Sequence, residues 1–530
     1  MIHRRIAAPV AFPFSAMAAR SDLAPAHWRR PFLKLLDGIE AGWAIPLILI
    51  GFVAVWMLFL IIAYLTGDLH PDVLEAWSVG RSWGWGNFKH PPMMGWIVHL
   101  WTAVFPLTNW SLQLLAMINS ALALWSVDLI SRHFVRGDKR IIVLALLMLT
   151  PAYQFHAQRF NANTVLLAVW PIATYCFLRS FETRSTIWAL IAGATTALAI
   201  LGKYYSIFLF GGFVFAALVH PQRRMYFSTS APWISTATGL FVLAPHLYWL
   251  ATTGAGPLKY ALEVHRGATA TESLIESGSF LLGLVAALAL PTITWVMIAG
   301  CRLRQFAADV RSMDRGLLLL LLIGVGAIIF PIVTTASLGS DLPSLWAFQG
   351  LFLFIVPIVC GAGFPVERFY SVNLILLVLG ITAIAVLVAA PAHAIYRNSH
   401  PFNERRNFYR SSAIELERRW HGLTDKPLPR VSGDEPLALA TAFYSPEHPE
   451  FIRAWDPQDA WAPSQAILKQ GWAALCFSDD KGCIAFLERN TLPSRSVRSE
   501  FTVTSFLFDV LGATAKVIVQ LTPPESLIQR

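Results

Sequence analysis

Charge is scarce in this sequence. Of its 530 residues only 14% are Asp, Glu, Lys or Arg, where soluble domains carry about 25%. With a mean hydropathy of +0.54, that shortage excludes an ordinary soluble protein. Cysteine is sparse too, five in all, and none has metal-site spacing. No glycine loop of the phosphate-cradling kind is present, so a nucleotide is not expected. The net charge of +9 comes with no nucleic-acid motif, and most Lys and Arg lie between apolar runs, where anchoring to anionic lipid accounts for them. No nucleic-acid partner is expected. The first 42 residues hold Arg4, Arg5, Arg20, Arg29, Arg30 and Lys34, with no apolar stretch before Trp43. A cleavable signal is therefore not expected there.

Apolar length is abundant instead. Runs of about 15 to 23 residues suit helices crossing a hydrocarbon core of about 30 Å. They must be helical, because lipid offers no water to backbone polar groups. The runs predict eleven spans, at 43–66, 110–131, 141–157, 162–178, 187–201, 204–219, 232–252, 278–300, 316–338, 345–361 and 370–391. The stretch 93–106 is apolar but short and contains His99, and reads as an interfacial helix. Twenty Trp and 35 Phe fit broad interface belts.

With a cytoplasmic N-terminus, the inner loops carry thirteen Lys and Arg, from Arg132 to Arg368. The outer loops carry six: Arg81, Lys89, Arg159, Lys203, Lys259 and Arg266. That asymmetry is the positive-inside pattern, and counting 93–106 as a span would reverse it. The fold expected is a polytopic α-helical membrane protein with interfacial helices in the first outer loop and a small C-terminal α/β soluble domain. The domains expected are a cytoplasmic tail 1–42, a transmembrane domain 43–391 and an extracytoplasmic, periplasmic domain 392–530. The last is charged, Pro-broken and has β-like runs such as AALCFS, FTVTSFLF and AKVIVQLT. It also holds Cys476 and Cys483, which either pair in an oxidising compartment or stay free.

The first outer loop carries the richest chemistry. Asp68, Asp72 and Glu75 follow the first span, and the i, i+3 spacing of Asp72 and Glu75 puts both on one face of a helix starting near Pro71. Paired acids at a membrane surface suit general-base catalysis; they also suit a solvated helix N-terminus. Trp77, Trp83 and Trp85, then Lys89, His90, Pro91 and Pro92, follow. Rings beside cations stack on sugars and hold phosphate, and equally anchor a loop to the interface. Arg159, Asn161 and Asn163 occupy a second outer turn. Lys203, ringed by Tyr204 and Tyr205, breaks an otherwise continuous apolar stretch. An ionisable group at that depth meets an anionic headgroup or snorkels to the interface. Lys259, His265 and Arg266 on the next loop are further phosphate candidates.

The run DVLEAWSVGRSWGWGNFKHPPMMGW resembles the first outer loop of membrane glycosyltransferases of the C superfamily. It is most similar to the protein mannosyltransferase and aminoarabinose transferase group, glycosyltransferase family 39. RFNANTVLLAVWPIATY and LGKYYSIFLFGG are similar to that group's second outer loop and next helix break, and the resemblance covers residues 43–390. It implies an inverting transfer of one sugar from a polyprenyl-phosphate donor to a hydroxyl of a glycolipid such as lipid A, a polysaccharide or a protein. The setting implied is the outer face of a bacterial inner membrane. By position it implies Asp72 or Glu75 as the catalytic base; Asp72 is expected to be the base, with Glu75 as its neighbour. Lys89, His90, Arg159, Lys203 and Tyr204 would bind the donor phosphate, and Trp83, Trp85, Asn161, His265 and Arg266 would contact substrate. A divalent metal is left open, and no other cofactor is implied.

Two departures stand out. Many members have adjacent Asp-Glu, whereas here Leu74 precedes Glu75 and the Asp is three residues upstream. This spaced version is similar to the branch that adds uronic acids or related sugars to lipopolysaccharide. Asn161 stands where some relatives have Asp. The competing class is a transporter or lipid flippase, against which stand the lack of an internal repeat and the gathering of ionisable residues on one face.

Overall fold

The computed structural model describes residues 27–264, 269–300, 302–453, 470–490 and 496–524. Its apolar runs are helices throughout. Among the described residues, seven helices are long and apolar enough to cross a membrane: Ala44–Ala63, Asn109–Phe134, Ala162–Thr183, Ala231–Thr252, Thr271–Ile298, Arg315–Leu338 and Arg368–Ser399. The other four expected spans are helical but shorter: Asp138–Met148, Thr186–Gly202, Ile207–Val219 and Phe352–Cys360. At 1.5 Å per residue, the 11- and 9-residue members cover about half a hydrocarbon core. Length and composition alone single out seven of the eleven.

Ala162–Thr183 is the hub of the bundle. In its most apolar stretch 83% of residues are buried within the protein, against 11% for Ala231–Thr252, whose surface is left for lipid. The stretch after Pro92 does not cross. It is a ten-residue helix, Met93–Thr102, folded back on the helix Pro71–Gly80. The two approach through glycines: a Cβ on Gly80 would lie 2.9 Å from Gly95 O. His99 seals the contact through Nδ1 to Gly80 O at 2.8 Å.

At one end of the bundle the basic loops are tied by ion pairs. Arg136 meets Glu40, Arg368 meets Asp37, and Arg179 and His133 share Glu182. The buried member is Asp128, which accepts from Arg140 Nε at 2.9 Å and Nη2 at 2.7 Å. Both residues are under 10% exposed, so removing one partner strands a desolvated charge. Arg140→Ala is expected to cost about 3–5 kcal/mol of stability, measured as lost thermal stability in detergent. Arg140→Ala together with Asp128→Leu should recover most of it.

The opposite end is roofed by the C-terminal domain. Its sheet runs β2 (Glu450–Phe451), β1 (Arg430–Gly433), β3 (Trp472–Phe477), β5 (Val510–Thr522), β4 (Val497–Leu507). β1 pairs parallel with β2 and β3, while β5 pairs antiparallel with β3 and β4. The three β-like runs of the sequence are β3, β4 and β5. Cys476 and Cys483 are disulfide-bonded; Cys301 lies outside the described residues, and Cys176 and Cys360 are buried and free.

The domain docks on the first loop through named contacts. Asp68 accepts from Arg410 N at 2.8 Å, and Arg81 donates to Pro449 O and His448 O at 2.8 and 2.7 Å. Tyr444 accepts from Leu69 N and donates to Asn109, both at 2.9 Å. Trp77 packs edge-on against Phe443 at 5.1 Å. Asp68 is thus a docking residue, separated in role from Asp72 and Glu75.

Candidate active site

The helix Pro71–Gly80 starts as its sequence predicts. Pro71 sits in the first turn, and His70 is the N-cap, its Nδ1 accepting Asp72 N at 3.2 Å. One turn puts Asp72 and Glu75 on the same face, but in different surroundings. The Asp72 side chain is 41% exposed and Glu75 only 14%.

Asp72 is held from the second turn. Asn161 is the N-cap of Ala162–Thr183, its Oδ1 accepting Asn163 N and Thr164 N at 2.9 and 3.0 Å. With the carbonyl oxygen committed to the cap, the amide nitrogen donates to Asp72 Oδ2 at 2.8 Å. This accounts for asparagine at 161. An aspartate would cap the helix equally well but would set one carboxylate against another.

Lys203 lies in extended backbone at the end of Thr186–Gly202, the break expected from the sequence. Its Nζ donates to Asn163 Oδ1 at 2.5 Å and stands 4.2 Å over the Trp346 ring. An amide dipole and an aromatic face leave its charge uncancelled by direct contact; burial pulls its ammonium down to about 7, and Asp72 opposes this only through space. Lys89 is placed differently. Its Nζ is 2.5 Å from Glu435 Oε1 and 3.4 Å from Glu75 Oε1, so two carboxylates already share it. Burial pulls Lys89 down, but the Glu75 and Glu435 charges outweigh it and push it up. Glu75 is pushed up to about 7, chiefly by burial; Lys89 opposes this, and Glu435 and Asp72 add to it.

The remaining candidates divide. His90 is pulled down to about 3 by burial, with Lys203 and Lys89 adding, so at neutral pH it is an uncharged neighbour of both lysines. Its N–H, like that of Lys89, donates to Asn87 Oδ1 at 2.7 Å. Arg159 is exposed at the second turn and acts through space on His70 and His156. The Tyr204 hydroxyl lies 3.0 Å from His246 Nε2, whose Nδ1 meets Trp85 O at 2.6 Å. Tyr204 therefore ties the aromatic stretch to the bundle. Trp83 stacks on Trp96 at 5.5 Å, Trp85 meets Trp96 edge-on, and Trp83 and Trp85 are 53% and 41% exposed. They form an aromatic shelf. Lys259 is exposed on the helix Gly256–Val264; His265 and Arg266 lie outside the described residues.

Sequence reasoning missed Glu435, 346 positions from the lysine it binds, because nothing local marks it. It also passed over Trp346 and His70, which carry no motif signal. The Lys89 ammonium lies between two of these acids, Glu75 and Glu435. The described His and acid side chains best suited to an ion are Glu417, His421 and Glu447, within 4.8 Å of one another on the C-terminal domain.

A helical bundle roofed by a small sheet domain, with acids and lysines gathered beneath the roof, is the arrangement of this chain, and its fold is shared with solved ArnT structures. The family described as dolichyl-phosphate-mannose-protein mannosyltransferase matches residues 89–249. The crystal structure of ArnT from Cupriavidus metallidurans bound to undecaprenyl phosphate superposes with a TM-score of 0.55 at 13% identity, covering 88% of this chain and 97% of that one. Its apo state gives the same TM-score at 12% identity, covering 91% and 98%. Among curated relatives, the lipopolysaccharide core galacturonosyltransferase RgtB of Rhizobium johnstonii is 27% identical over 53% of this chain. The lipid A galacturonosyltransferase RgtD of the same organism is 26% identical over 34%. The matches span 58% and 38% of those relatives' lengths.

Proposed function

We propose that this protein transfers a single sugar, with inversion, from a polyprenyl-phosphate donor to a hydroxyl of lipopolysaccharide. The observation that carries the reading is the pairing at the site's centre: Asp72, oriented by the Asn161 amide, beside Lys203, whose own partner is a neutral amide. Asp72 takes the proton from the acceptor hydroxyl, the oxygen attacks the anomeric carbon, and the glycosyl–phosphate bond breaks on the opposite face. Lys203, with Arg159 at the mouth, stabilises the charge that builds on the departing phosphate. Lys89 keeps Glu75 and the loop behind it in place. The Trp83 and Trp85 shelf offers stacking faces for sugar rings.

Support for lipopolysaccharide as acceptor comes from the two galacturonosyltransferase relatives, and for a polyprenyl donor from the undecaprenyl phosphate in the ArnT structure. The same relatives favour a uronic acid as the sugar. The positive-inside count puts the N-terminus in the cytoplasm, and with it the 392–530 domain and the site in the periplasm, on the outer face of the inner membrane. A transporter is disfavoured by the same placement: its charged groups belong near the bilayer midplane, whereas these lie at one end under a soluble roof.

The test is mass spectrometry of envelope glycolipids from cells with and without the gene. Loss of one sugar's mass from lipid A or core is the expected result; an unchanged glycolipid profile would count against the reading. A sharper expectation concerns Asn161→Asp. It keeps the helix cap but sets two carboxyls 2.8 Å apart in place of the amide contact. One of them then holds a proton to higher pH, so the acid limb of the pH–rate profile moves upward by about one unit or more. An unmoved limb would mean that Asn161 does not act on the base.

A further inference from the structure

The groups in direct contact with the Lys203 ammonium carry no net charge, and the aromatic one comes from a distant part of the chain. After Arg315–Leu338 the backbone turns at Gly339 and enters a 3-10 helix, Ser344–Gly350, preceded by Pro343. Trp346 N donates to Pro343 O at 3.0 Å. The segment seats against the helix Ala270–Ile298 at Gly283, where a Cβ would lie 2.6 Å from Ser344 Cβ. Ala347, Phe348 and Gln349 are buried, and Gln349 Nε2 stands 3.5 Å from Asn163 O. This short helix therefore lies against both members of the Lys203–Asn163 pair.

Neighbouring rings hold Trp346 in place. Tyr205 meets it edge-on at 4.9 Å and stacks on Trp170 at 5.9 Å, while Trp170 Nε1 donates to Ser206 Oγ at 2.9 Å. The break that carries Lys203 and the ring under its ammonium are thus one packed unit. A carboxylate in place of the ring would grip the ammonium more strongly, but it would cancel the charge that a phosphate needs. A ring face attracts a cation through its quadrupole and has no net charge. The attraction grows when the cation is desolvated, and burial does act against this ammonium, pulling it down to about 7.

We propose that Trp346 is a positioning residue for the transfer: its ring face holds the Lys203 ammonium toward the donor phosphate without neutralising it. This rests on the donor reading above and adds to it a residue that no motif marks. The charged and titratable groups around Lys203 are Asp72 on Pro71–Gly80, His90 on the first loop, His156 and Arg159 on the second turn, and Tyr204 and Tyr205 next to it in the chain. All of them stay the same when only the electron density of the Trp346 ring is changed.

The test places tryptophan with one to four ring fluorines at 346 alone, by nonsense suppression, in the full-length protein in nanodiscs. Fluorine drains the ring face and barely alters its shape. Trace acetylation across pH, read at Lys203 by mass spectrometry, reports the proton on the amine. Its midpoint is expected to fall with each fluorine, by about half a unit or more for the tetrafluoro ring, because a weaker face stabilises the ammonium less. Transfer from a polyprenyl-phosphate sugar should fall in the same order, by about tenfold in kcat/KM for the tetrafluoro ring, with thermal unfolding unchanged. In the Lys203→Ala background fluorine should have no effect, and Trp346→Phe should keep more transfer than Trp346→Leu. A ring that only fills space gives flat series throughout. Flat labelling overturns the contact; shifted labelling with flat transfer, or an equal fall in Lys203→Ala, overturns the positioning role. Shifted labelling in a protein that moves no sugar from polyprenyl phosphate even unmodified sinks the donor reading, and the positioning role with it, while the ring–ammonium contact stands.

Discussion

Asp72→Asn is expected to lower sugar transfer by about 10²–10⁴-fold, the usual contribution of a positioned general base, while leaving the folded protein intact. The fold survives because an asparagine at 72 still accepts from the Asn161 amide that now meets Asp72 Oδ2, and because the helix is started by His70 and Pro71 rather than by Asp72 alone. What is lost is the charge that receives the acceptor's proton. The measurement is transfer by purified variant in vitro, with thermal unfolding beside it. Should Asp72→Asn retain activity and Glu75→Gln lose it, the base is Glu75, whose position near 7 also suits that chemistry. Full activity in both variants would remove general-base catalysis from this helix altogether.

Lys203→Ala is expected to have the next largest effect, a fall of about 10²–10³-fold, typical of removing one preorganised group facing developing charge. Lys203 is chosen over Lys89 because of its partners. Lys89 is shared by Glu75 and Glu435, and removing it leaves two half-buried acids facing each other, which costs stability before it costs chemistry. Lys203 holds an amide oxygen and a tryptophan face, both of which tolerate its loss. The Lys203→Ala effect should be greatest for substrates with poor leaving groups. Lys89→Ala should show as lowered thermal stability and a raised donor KM. Equal losses in kcat for the two lysines, with no stability difference, would contradict this division.

The one-dimensional pattern spoke clearly wherever the physics is local. Uncharged apolar runs fixed the helices, since lipid permits nothing else. The i, i+3 spacing of Asp72 and Glu75 gave a shared face, and the Lys203 break gave a helix end, both of which the structure contains. Local pattern could not tell a long apolar helix from a short one packed within the bundle, such as Asp138–Met148 or Phe352–Cys360. Burial among neighbours makes a segment apolar just as lipid does.

The sequence by itself determined a multi-pass helical protein, a soluble C-terminal unit and a set of acids and bases bound for one end. Only the tertiary structure decided how they pair. It gave Lys89 to Glu75 and Glu435, Asp68 to Arg410, Tyr204 to His246 and Asn161 to Asp72. The reason is that ion pairing and desolvation depend on distance in space. Partners separated by hundreds of residues leave no periodic trace in the chain, whereas a helix writes its periodicity into every turn.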